Sequence, residues 1–335
     1  MSDNHSTPLF SIVIPAYNAQ RFLPLTLESI FRQTVGDYEI VVVNDGSTDG
    51  TLEMLQGISD PRLRVITQEN GGECAARNRG IKEARGKYVA FLDADDAWCP
   101  NHLEIVLDRI HRHGDISWFV TPTQKVPDIE PKDFTPAQDR GCTITSWYLE
   151  ANDIPASSST VLTRELAQAI PDLFPVGVKM FGDNIGWAKL AKICDRVAII
   201  DAPTVLYRFW QGNASTVNNV CRHGVRSEAV KTALAKHAEL YREPDCKPEA
   251  KLYFRRFALG NWRVCISSAF PPDEWQADFA ARKDVVGRIS TCWMRASVLL
   301  NRLSLCAMRW GVRMHKEAVE RKMRRMAVTR KISCK

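Results

Sequence analysis

Residues 10–16 read FSIVIPA, residues 39–45 read EIVVVND, and residues 87–96 read KYVAFLDADD. Each stretch is a short run rich in apolar and β-branched residues that ends in polar residues, which is typical of a buried strand. Segments with apolar residues at helical spacing lie between and around them, at 21–34, 48–58 and 73–85. Because strand and helix alternate, the sequence predicts an α/β fold with a mainly parallel sheet covered by helices.

The charge of the chain is unevenly distributed. The 335 residues are 45% apolar and 25% charged, which is ordinary for a globular protein, and they carry a net charge of +6. Residues 301–335 contain eleven basic and two acidic residues, a net charge of +9, so the first 300 residues carry −3. The positive charge is therefore local, and this distribution argues against a nucleic-acid-binding protein.

Targeting and cysteine patterns indicate a reducing compartment. The start, MSDNHSTP, lacks the charged and apolar regions of a signal peptide, and no uncharged apolar run is long enough to span a membrane. The ten cysteines include no C-x-x-C pair, so we expect neither a zinc site nor a disulfide framework. These features predict a cytoplasmic protein.

Polar side chains follow the predicted strands at the edge where a parallel sheet binds ligands. Asn44 and Asp45 follow one strand, and Asp93, Asp95 and Asp96 follow another. Carboxylates this close together repel one another unless a cation neutralises them, and hard oxygen ligands favour Mg²⁺ or Mn²⁺. Either cluster alone is also compatible with a turn and helix cap that bind nothing.

Other nucleotide-binding motifs are missing from the sequence. No G-x-G-x-x-G follows the first strand, which disfavours a dinucleotide-dependent dehydrogenase. The segment from Gly80 to Tyr88 approaches a P-loop, but its spacing is one residue too long and it lacks the Ser or Thr metal ligand.

Three long stretches carry a resemblance to a known family. SIVIPAYNAQRFLPLTLESIFRQT, EIVVVNDGSTDGT and QENGGECAARNRGIKEARGKYVAFLDADD occur in order over residues 10–98. They resemble the nucleotide-binding half of the family 2 glycosyltransferases, and a weaker resemblance to the acceptor half runs from Ser158 to Ser215. The resemblance implies a GT-A fold, inversion at the anomeric carbon and the use of Mn²⁺ or Mg²⁺.

The resemblance, together with the helical spacing and the basic composition of the residues after it, also implies a domain organisation. We expect a GT-A domain at 1–216 (nucleotide-binding half 8–120, acceptor half 121–216), a helical extension at 217–294 and a basic amphipathic tail at 295–335. Four prolines between Pro122 and Pro136 predict a loop in the acceptor half.

The same resemblance assigns roles on the donor side. The residues that would bind the nucleotide-sugar are Pro15, Tyr17, Asn18, Asp45, Arg77, Asn78 and Asp93. Asp95 would ligate the metal with help from Asp93, and Asp96 would support them.

On the acceptor side, the family usually has a Glu-Asp pair where this chain has Gly182-Asp183. Asp183 would be the general base that deprotonates the acceptor hydroxyl, although an Asp here also suits a helix N-cap. The family often has a His shortly after a Tyr-Arg pair, which Tyr207-Arg208 here lacks. Residues that would contact the acceptor or the diphosphate instead are Trp187, Arg208, Trp210 and Gln211; the tryptophans also suit core packing.

The basic tail predicts a location. If residues 295–316 form a helix, Leu299, Leu303 and Trp310 share one face beside a stripe of arginines. Such a helix suits the interface of an anionic membrane, and the alternative is a helix packed on the body. We therefore expect a peripheral protein at the inner face of the cytoplasmic membrane.

Together these observations predict a glycosyltransferase that moves a sugar from a nucleotide-sugar to a glycan or lipid-linked acceptor. The donor that we expect is a UDP-sugar. Cell-envelope assembly, as of lipopolysaccharide or exopolysaccharide, is the expected setting. The alternatives are a nucleotidyltransferase that makes sugar nucleotides, whose Gly-rich loop the segment after the first strand does not resemble, and an inactive carbohydrate- or membrane-binding relative.

Overall fold

The computed structural model describes residues 7–150, 156–178, 181–209, 225–254, 256, 314, 317–319, 321–322 and 332–334. The contacts divide the chain into two compact units. The first unit consists of Met1–Thr145, Asp153–Thr216 and Lys331–Lys335, and the second consists of Ser146–Asn152 and Val217–Arg330.

A parallel sheet forms the centre of the first unit. Its strands here are β1 (Phe10–Ala16), β2 (Tyr38–Asp45), β3 (Leu63–Gln68) and β4 (Tyr88–Phe91), which lie in the order β4-β1-β2-β3. The helices between them are α1 (Leu23–Phe31), α2 (Thr51–Gln56) and α3 (Glu73–Glu83). Every residue of β1 and β2 is buried, as both faces of a helix-covered parallel sheet should be. The predicted α/β fold with a mainly parallel sheet is confirmed.

Five further strands extend this sheet beyond β4. They are β6 (Trp118–Val120), β8 (Cys142–Ser146), β9 (Thr160–Thr163), β10 (Arg196–Ile200) and β12 (Ile332–Cys334). The sheet has nine strands among the residues described, in the order β12-β8-β10-β6-β9-β4-β1-β2-β3. β9 is antiparallel to both β4 and β6, so the direction of the strands reverses there.

A smaller sheet lies beside the acidic turn. It joins β5 (Ala97–Trp98), β7 (Thr123–Val126) and β11 (Val205–Arg208) in the order β5-β11-β7. The loop predicted from the prolines of the acceptor half therefore contains a strand. The four residues TQKV lie between Pro122 and Pro127, and they pair in parallel with β11.

Helices α4 (His102–Arg112), α6 (Arg164–Gln168) and α7 (Gly182–Ile193) complete the first unit. α3 packs against β1 with little space between them: a Cβ at Gly80 would lie 2.2 Å from Cγ1 of Val13. This close approach holds α3 near the carboxyl end of the parallel strands, where its polar residues face the acidic turn.

The second unit contains α5 (Trp147–Glu150), α8 (Val225–Arg242) and helical residues at 248–254. Its buried aromatic side chains pack on one another, and they include Trp147, Tyr148, His237, Tyr253 and Phe254. No helix of the described part of the chain is both long and apolar enough to cross a bilayer.

Most of the predicted basic tail, including 295–313, lies outside the described residues. At the end of the chain, Ile332–Cys334 forms β12, antiparallel to β8, and the helix expected at 295–316 stays a prediction. The boundaries predicted at 216 and 294 stay predictions.

Candidate active site

The ends of β1 and β2 form the first wall of the candidate site. Tyr17 follows β1 and is 52% exposed, so its ring is available to a ligand, whereas Pro15 is buried within the strand. Asn18 adopts a left-handed backbone conformation (φ 49°), and its Oδ1 accepts a 2.8 Å hydrogen bond from the backbone N–H of Thr48. The backbone N–H of Asn18 donates to Oγ of Ser47, so the two predicted ligand-binding loops are fixed to each other.

Asp45 ends β2 and is 2% exposed. Its carboxylate accepts three hydrogen bonds of 2.7–2.9 Å, from Nε2 of Gln68 and from the backbone N–H groups of Gly71 and Gly72. The carboxylate therefore holds the loop at 69–72 beside the exposed Tyr17, and that loop leads directly into α3.

The acidic turn after β4 is held from three sides. The hydroxyl of Thr26 lies 2.9 Å from the carbonyl oxygen of Ala94 and 2.7 Å from that of Asp96. Ser158 accepts from the backbone N–H of Asp93 (3.0 Å) and donates to Oδ2 of Asp96 (2.6 Å). Asp96 is 1% exposed, whereas Asp93 and Asp95 are only part-buried, so Asp96 anchors the turn that presents the other two carboxylates.

Arg208 is the third support of the acidic turn. Its backbone N–H donates to Oδ1 of Asp96 (3.0 Å) and its Nε donates to the carbonyl oxygen of Asp95 (2.9 Å). Its guanidinium also pairs with Asp128 and lies 4.6 Å from the centre of the Phe22 ring. Arg208 is 1% exposed and its observed contacts support the turn, while its predicted contact with the diphosphate stays a prediction.

Arg77 connects α3 to the acidic turn. Its Nη2 donates to Oδ1 of Asp93 (2.7 Å) and to the carboxylate of Glu73. The side chain of Arg77 is 4% exposed, and its Nε has no hydrogen-bond partner among the described residues. A buried guanidinium between two carboxylates is a strong local positive charge, and it fixes Asp93 relative to α3.

Asn78, the next residue, supports the acceptor side. Its Nδ2 donates to the carbonyl oxygen of Phe174 (2.7 Å), and its Oδ1 accepts from the backbone N–H of Phe174 (3.0 Å). Both ends of the amide therefore hold the segment before α7. The predicted contact of Asn78 with the nucleotide stays a prediction, and the contacts observed are structural.

Asp183 lies in the first turn of α7, and its Oδ1 accepts from the backbone N–H of Asn184 (2.8 Å). The residue that precedes the helix, Phe181, has a left-handed backbone conformation (φ 60°), which is uncommon for a bulky residue and is often found at functional sites. Gly182 approaches α3 so closely that a Cβ there would lie 2.3 Å from Sγ of Cys74. This contact gives a reason for glycine at the position where the family usually has Glu, and it holds Asp183 beside α3.

The carboxylates of the acidic turn, of α3 and of α7 influence one another electrostatically. Arg77 lowers the pKa of Glu73, but the loss of hydration where the carboxylate meets the buried Arg77, and the negative charges of Asp93, Asp183 and Asp95, outweigh it and raise the pKa to about 7. Burial raises the pKa of Asp183 above its ordinary value, although Arg77 and the Asn184 N–H oppose the shift. The acidic turn, the start of α3 and the start of α7 therefore border one negatively charged crevice.

Asp96 titrates under the same influences. Burial and the charges of Asp95 and Asp93 raise its pKa well above the usual range, although hydrogen bonds from Ser158 and Arg208 oppose this. A negative charge that is difficult to accommodate at this turn indicates a place where a cation would be stabilised.

Of the two tryptophans predicted to contact the acceptor, the structure describes only Trp187. Trp187 is fully buried and packs against Phe91, Phe174 and Trp118, with ring centres 5.1–5.9 Å apart, so it is a core residue and not an acceptor contact. Its position in α7 between the central sheet and the segment at 171–178 explains the burial. Trp210 and Gln211 lie outside the described residues.

Four supporting residues escaped the sequence analysis: Thr26, Glu73, Asp128 and Ser158. Glu73 alone had a local signal, because it lies four residues before Arg77 on a predicted helix, where opposite charges meet. The others act across the fold; the bond from Ser158 to Asp96, for example, spans 62 residues of sequence.

The chain matches known proteins over its first half. The model of the family described as glycosyl transferase family 2 matches residues 11–150. A putative teichuronic acid biosynthesis glycosyltransferase, TuaG of Bacillus subtilis, is 41% identical over 104 residues, which are 30% of this chain and 41% of TuaG. The matched segments span about two-fifths or less of the first curated relatives.

Two solved structures share the fold over most of the chain. Residues 1–349 of TarS from S. aureus, in complex with UDP-GlcNAc, superpose with a TM-score of 0.66 and 19% identity, covering 95% of this chain and 92% of that one. The mannosyltransferase PcManGT from Pyrobaculum calidifontis, in complex with GDP-Man and Mn²⁺, gives a TM-score of 0.57 and 19% identity, with coverages of 94% and 88%. Residues 11–150 of this chain therefore match the family 2 glycosyltransferases, and its sheet is that of the GT-A fold.

Proposed function

We propose that the chain is an inverting glycosyltransferase that moves a sugar from a nucleotide-sugar to a hydroxyl group of a glycan or lipid-linked acceptor. One observation carries the proposal: Arg77 contacts Asp93 of the acidic turn, while the Cys74–Gly182 contact keeps Asp183 beside the same helix. The departing diphosphate needs positive charge, which a cation on the acidic turn would supply, and the attacking hydroxyl needs a base on the opposite side of the sugar, which Asp183 would supply.

Asp183 would act as the general base. Its carboxylate stands at the first turn of α7, and the Asn184 N–H fixes one of its oxygens. Because its pKa is raised by burial, it is a stronger base than a fully hydrated Asp and accepts the proton of the acceptor hydroxyl more readily. Attack by that hydroxyl from the face opposite the nucleotide inverts the anomeric carbon.

The nucleotide would bind at the ends of β1 and β2. The exposed ring of Tyr17 offers a face on which a base can stack, and Asp45 holds the adjoining loop at 69–72. Asn18 joins the two loops that form the floor of this position. A UDP-sugar is the donor we favour, supported by the fold shared with TarS bound to UDP-GlcNAc.

The residues present fit a divalent cation held by Asp95, with help from Asp93. The negative charges of these two residues contribute to the raised pKa values of Asp96 and Glu73, which shows the repulsion that a cation relieves. The described part of the chain brings no three ligating side chains together, so oxygens of phosphate and water would have to complete the shell of such an ion. When bound, the ion would balance the charge of the departing diphosphate.

Polysaccharide assembly is the setting that we propose. The support is the likeness to TuaG and to the chondroitin synthase of Pasteurella multocida, which is 37% identical over 127 residues, 37% of this chain and 13% of that protein. The acceptor could belong to lipopolysaccharide or to another envelope or extracellular polymer.

A donor screen tests the proposed function. The full chain is incubated with UDP-, GDP- and dTDP-sugars, with Mn²⁺ or Mg²⁺, and the release of nucleotide is measured. We expect release from one nucleotide class and its loss in Asp95→Asn, whereas the matched control Asp115→Asn, whose carboxylate only pairs with exposed Arg196, keeps the rate. No release from any donor would contradict the function, and undiminished release by Asp95→Asn would contradict the role of the cation.

The location at a membrane rests on the basic tail and is tested separately. Liposomes with anionic lipids should sediment the full chain more than a chain that ends at residue 294. Neutral liposomes are the control, because the expected attraction is electrostatic. Equal sedimentation of both chains would contradict attachment through the tail.

A further inference from the structure

Glu73 is an acidic residue of the crevice to which the proposed mechanism gives no task. It begins α3, and its side chain is 58% exposed although its carboxylate contacts the buried Arg77. Its exposure distinguishes it from Asp96, which is enclosed by its own hydrogen-bond partners. A ligand in the crevice can therefore reach Glu73.

The neighbours of Glu73 place it beside the sugar. Glu73 shares Nη2 of Arg77 with Asp93, on the leaving-group side, and the next residue, Cys74, contacts Gly182 beside Asp183, on the acceptor side. In the proposed reaction the transferred sugar lies between those two sides. Glu73 therefore borders the volume that the sugar occupies.

The positive charge that would receive an anionic sugar is already engaged. Arginine is the side chain best suited to bind a carboxylate, and Arg77 is the buried arginine of this crevice. Its Nη2 serves both Glu73 and Asp93. A uronic acid placed here would bring a second carboxylate against Glu73, whose arginine partner is already shared with Asp93.

We propose that Glu73 makes the site selective for an uncharged donor sugar, such as a hexose or N-acetylhexosamine, and against a uronic acid. The inference rests on the proposed function and names the class of its substrate. A hydroxyl of a neutral sugar donates a strong hydrogen bond to the exposed carboxylate, whereas a uronate is repelled by it.

The test compares matched donors that differ only in charge: UDP-glucose with UDP-glucuronate, and GDP-mannose with GDP-mannuronate. Nucleotide release by the full chain gives kcat/KM for each member at about pH 8. We expect the wild type to favour the neutral member of the pair it uses by on the order of tenfold or more, since close like charges repel strongly away from bulk water. Glu73→Gln should reduce that preference about tenfold, mainly by lowering KM for the uronate.

Glu53→Gln is the matched control. Glu53 is also an exposed acidic residue in the first turn of a helix, α2, so its loss has the same effect on a helix N-terminus. We expect its preference between the two donors to equal that of the wild type. Glu73→Asp keeps the charge and should keep the preference, which separates selection by charge from a general loss of structure.

The outcomes distinguish the inference from the function on which it rests. If the wild type uses a neutral donor and Glu73→Gln leaves the preference unchanged, or if the wild type prefers the uronate, the inference is wrong and the glycosyltransferase function stands. If Glu73→Gln is inactive, the affinities of both donors measured by calorimetry must show the same change of preference. If no donor of either charge releases nucleotide, the function itself fails.

Discussion

Acid should destabilise this protein through His102, the first residue of α4. The imidazole is fully buried, stacks on Trp98 at 4.2 Å between ring centres, and has Nδ1 2.7 Å from Oγ1 of Thr204. Its Nε2 has no partner among the described residues. Burial therefore lowers the pKa of His102 from 6.5 to about 3.

The size of the effect follows from this difference. The unfolded chain protonates His102 near pH 6.5, whereas the folded chain keeps it neutral down to about pH 3. The contribution of His102 to stability is thus complete above pH 6.5 and is lost as the pH falls towards 3. Between pH 7.5 and 5.5 the loss should be about 1.4 kcal/mol.

Urea unfolding followed by circular dichroism at the two pH values measures this loss. The side chain in His102→Gln is neutral at both pH values. From pH 7.5 to pH 5.5 the free energy of unfolding of this variant should therefore fall by about 1.4 kcal/mol less than that of the wild type. Other titrating groups, such as His237 with a pKa of about 4, contribute equally to both proteins and cancel. His111→Gln, at an exposed position of the same helix, is the control and should behave as the wild type. If His102→Gln loses as much stability as the wild type, the imidazole is not buried in its neutral form.

Three further predictions concern the crevice. Asp183→Asn should keep the affinity for the donor and lose about 10²–10⁴-fold in transfer, measured as kcat with the natural acceptor; a collapse of donor affinity would contradict its role as base. Ser158→Ala should lower the free energy of unfolding by about 2 kcal/mol, because it removes the hydrogen bond to the buried Asp96 carboxylate, and urea unfolding would show no change if the turn were held otherwise. Gly182→Ala should lower the free energy of unfolding by about 1–3 kcal/mol, because the added Cβ would clash with Sγ of Cys74. Cys74→Ala in the same chain should restore most of that stability. A double mutant no more stable than Gly182→Ala would refute the contact.

The parallel part of the fold could be predicted from local patterns. FSIVIPA and EIVVVND contain continuous apolar runs, which are typical of a strand covered on both faces, and their polar ends predicted the edge at which we propose that the donor binds. Asp93 and Asp95 lie in the crevice for this reason. β7 was not predicted because four residues between two prolines carry too little pattern, and its stability as a strand comes from β11, about 80 residues later.

Roles that depend on distant partners could not be predicted. Trp187 lies on a helix whose spacing suits both a core and a binding face, and only its neighbours Phe91, Phe174 and Trp118 decide for the core. The supporting role of Arg208 could not be predicted for the same reason, since its partners lie 80–113 residues earlier in the sequence.

The acidic turn shows why so many of the crevice residues are structural. Three carboxylates within four residues repel one another, so the turn would open if only the backbone held it. Asp96 is turned inward, and Ser158 and the Arg208 N–H bind its two oxygens, while Thr26 and Arg208 hold the carbonyl groups. These bonds are made to the backbone and to the carboxylate of Asp96. The turn can therefore keep its shape whether or not a cation is bound, and a preformed site of this kind avoids the entropic cost of ordering the turn when the donor arrives.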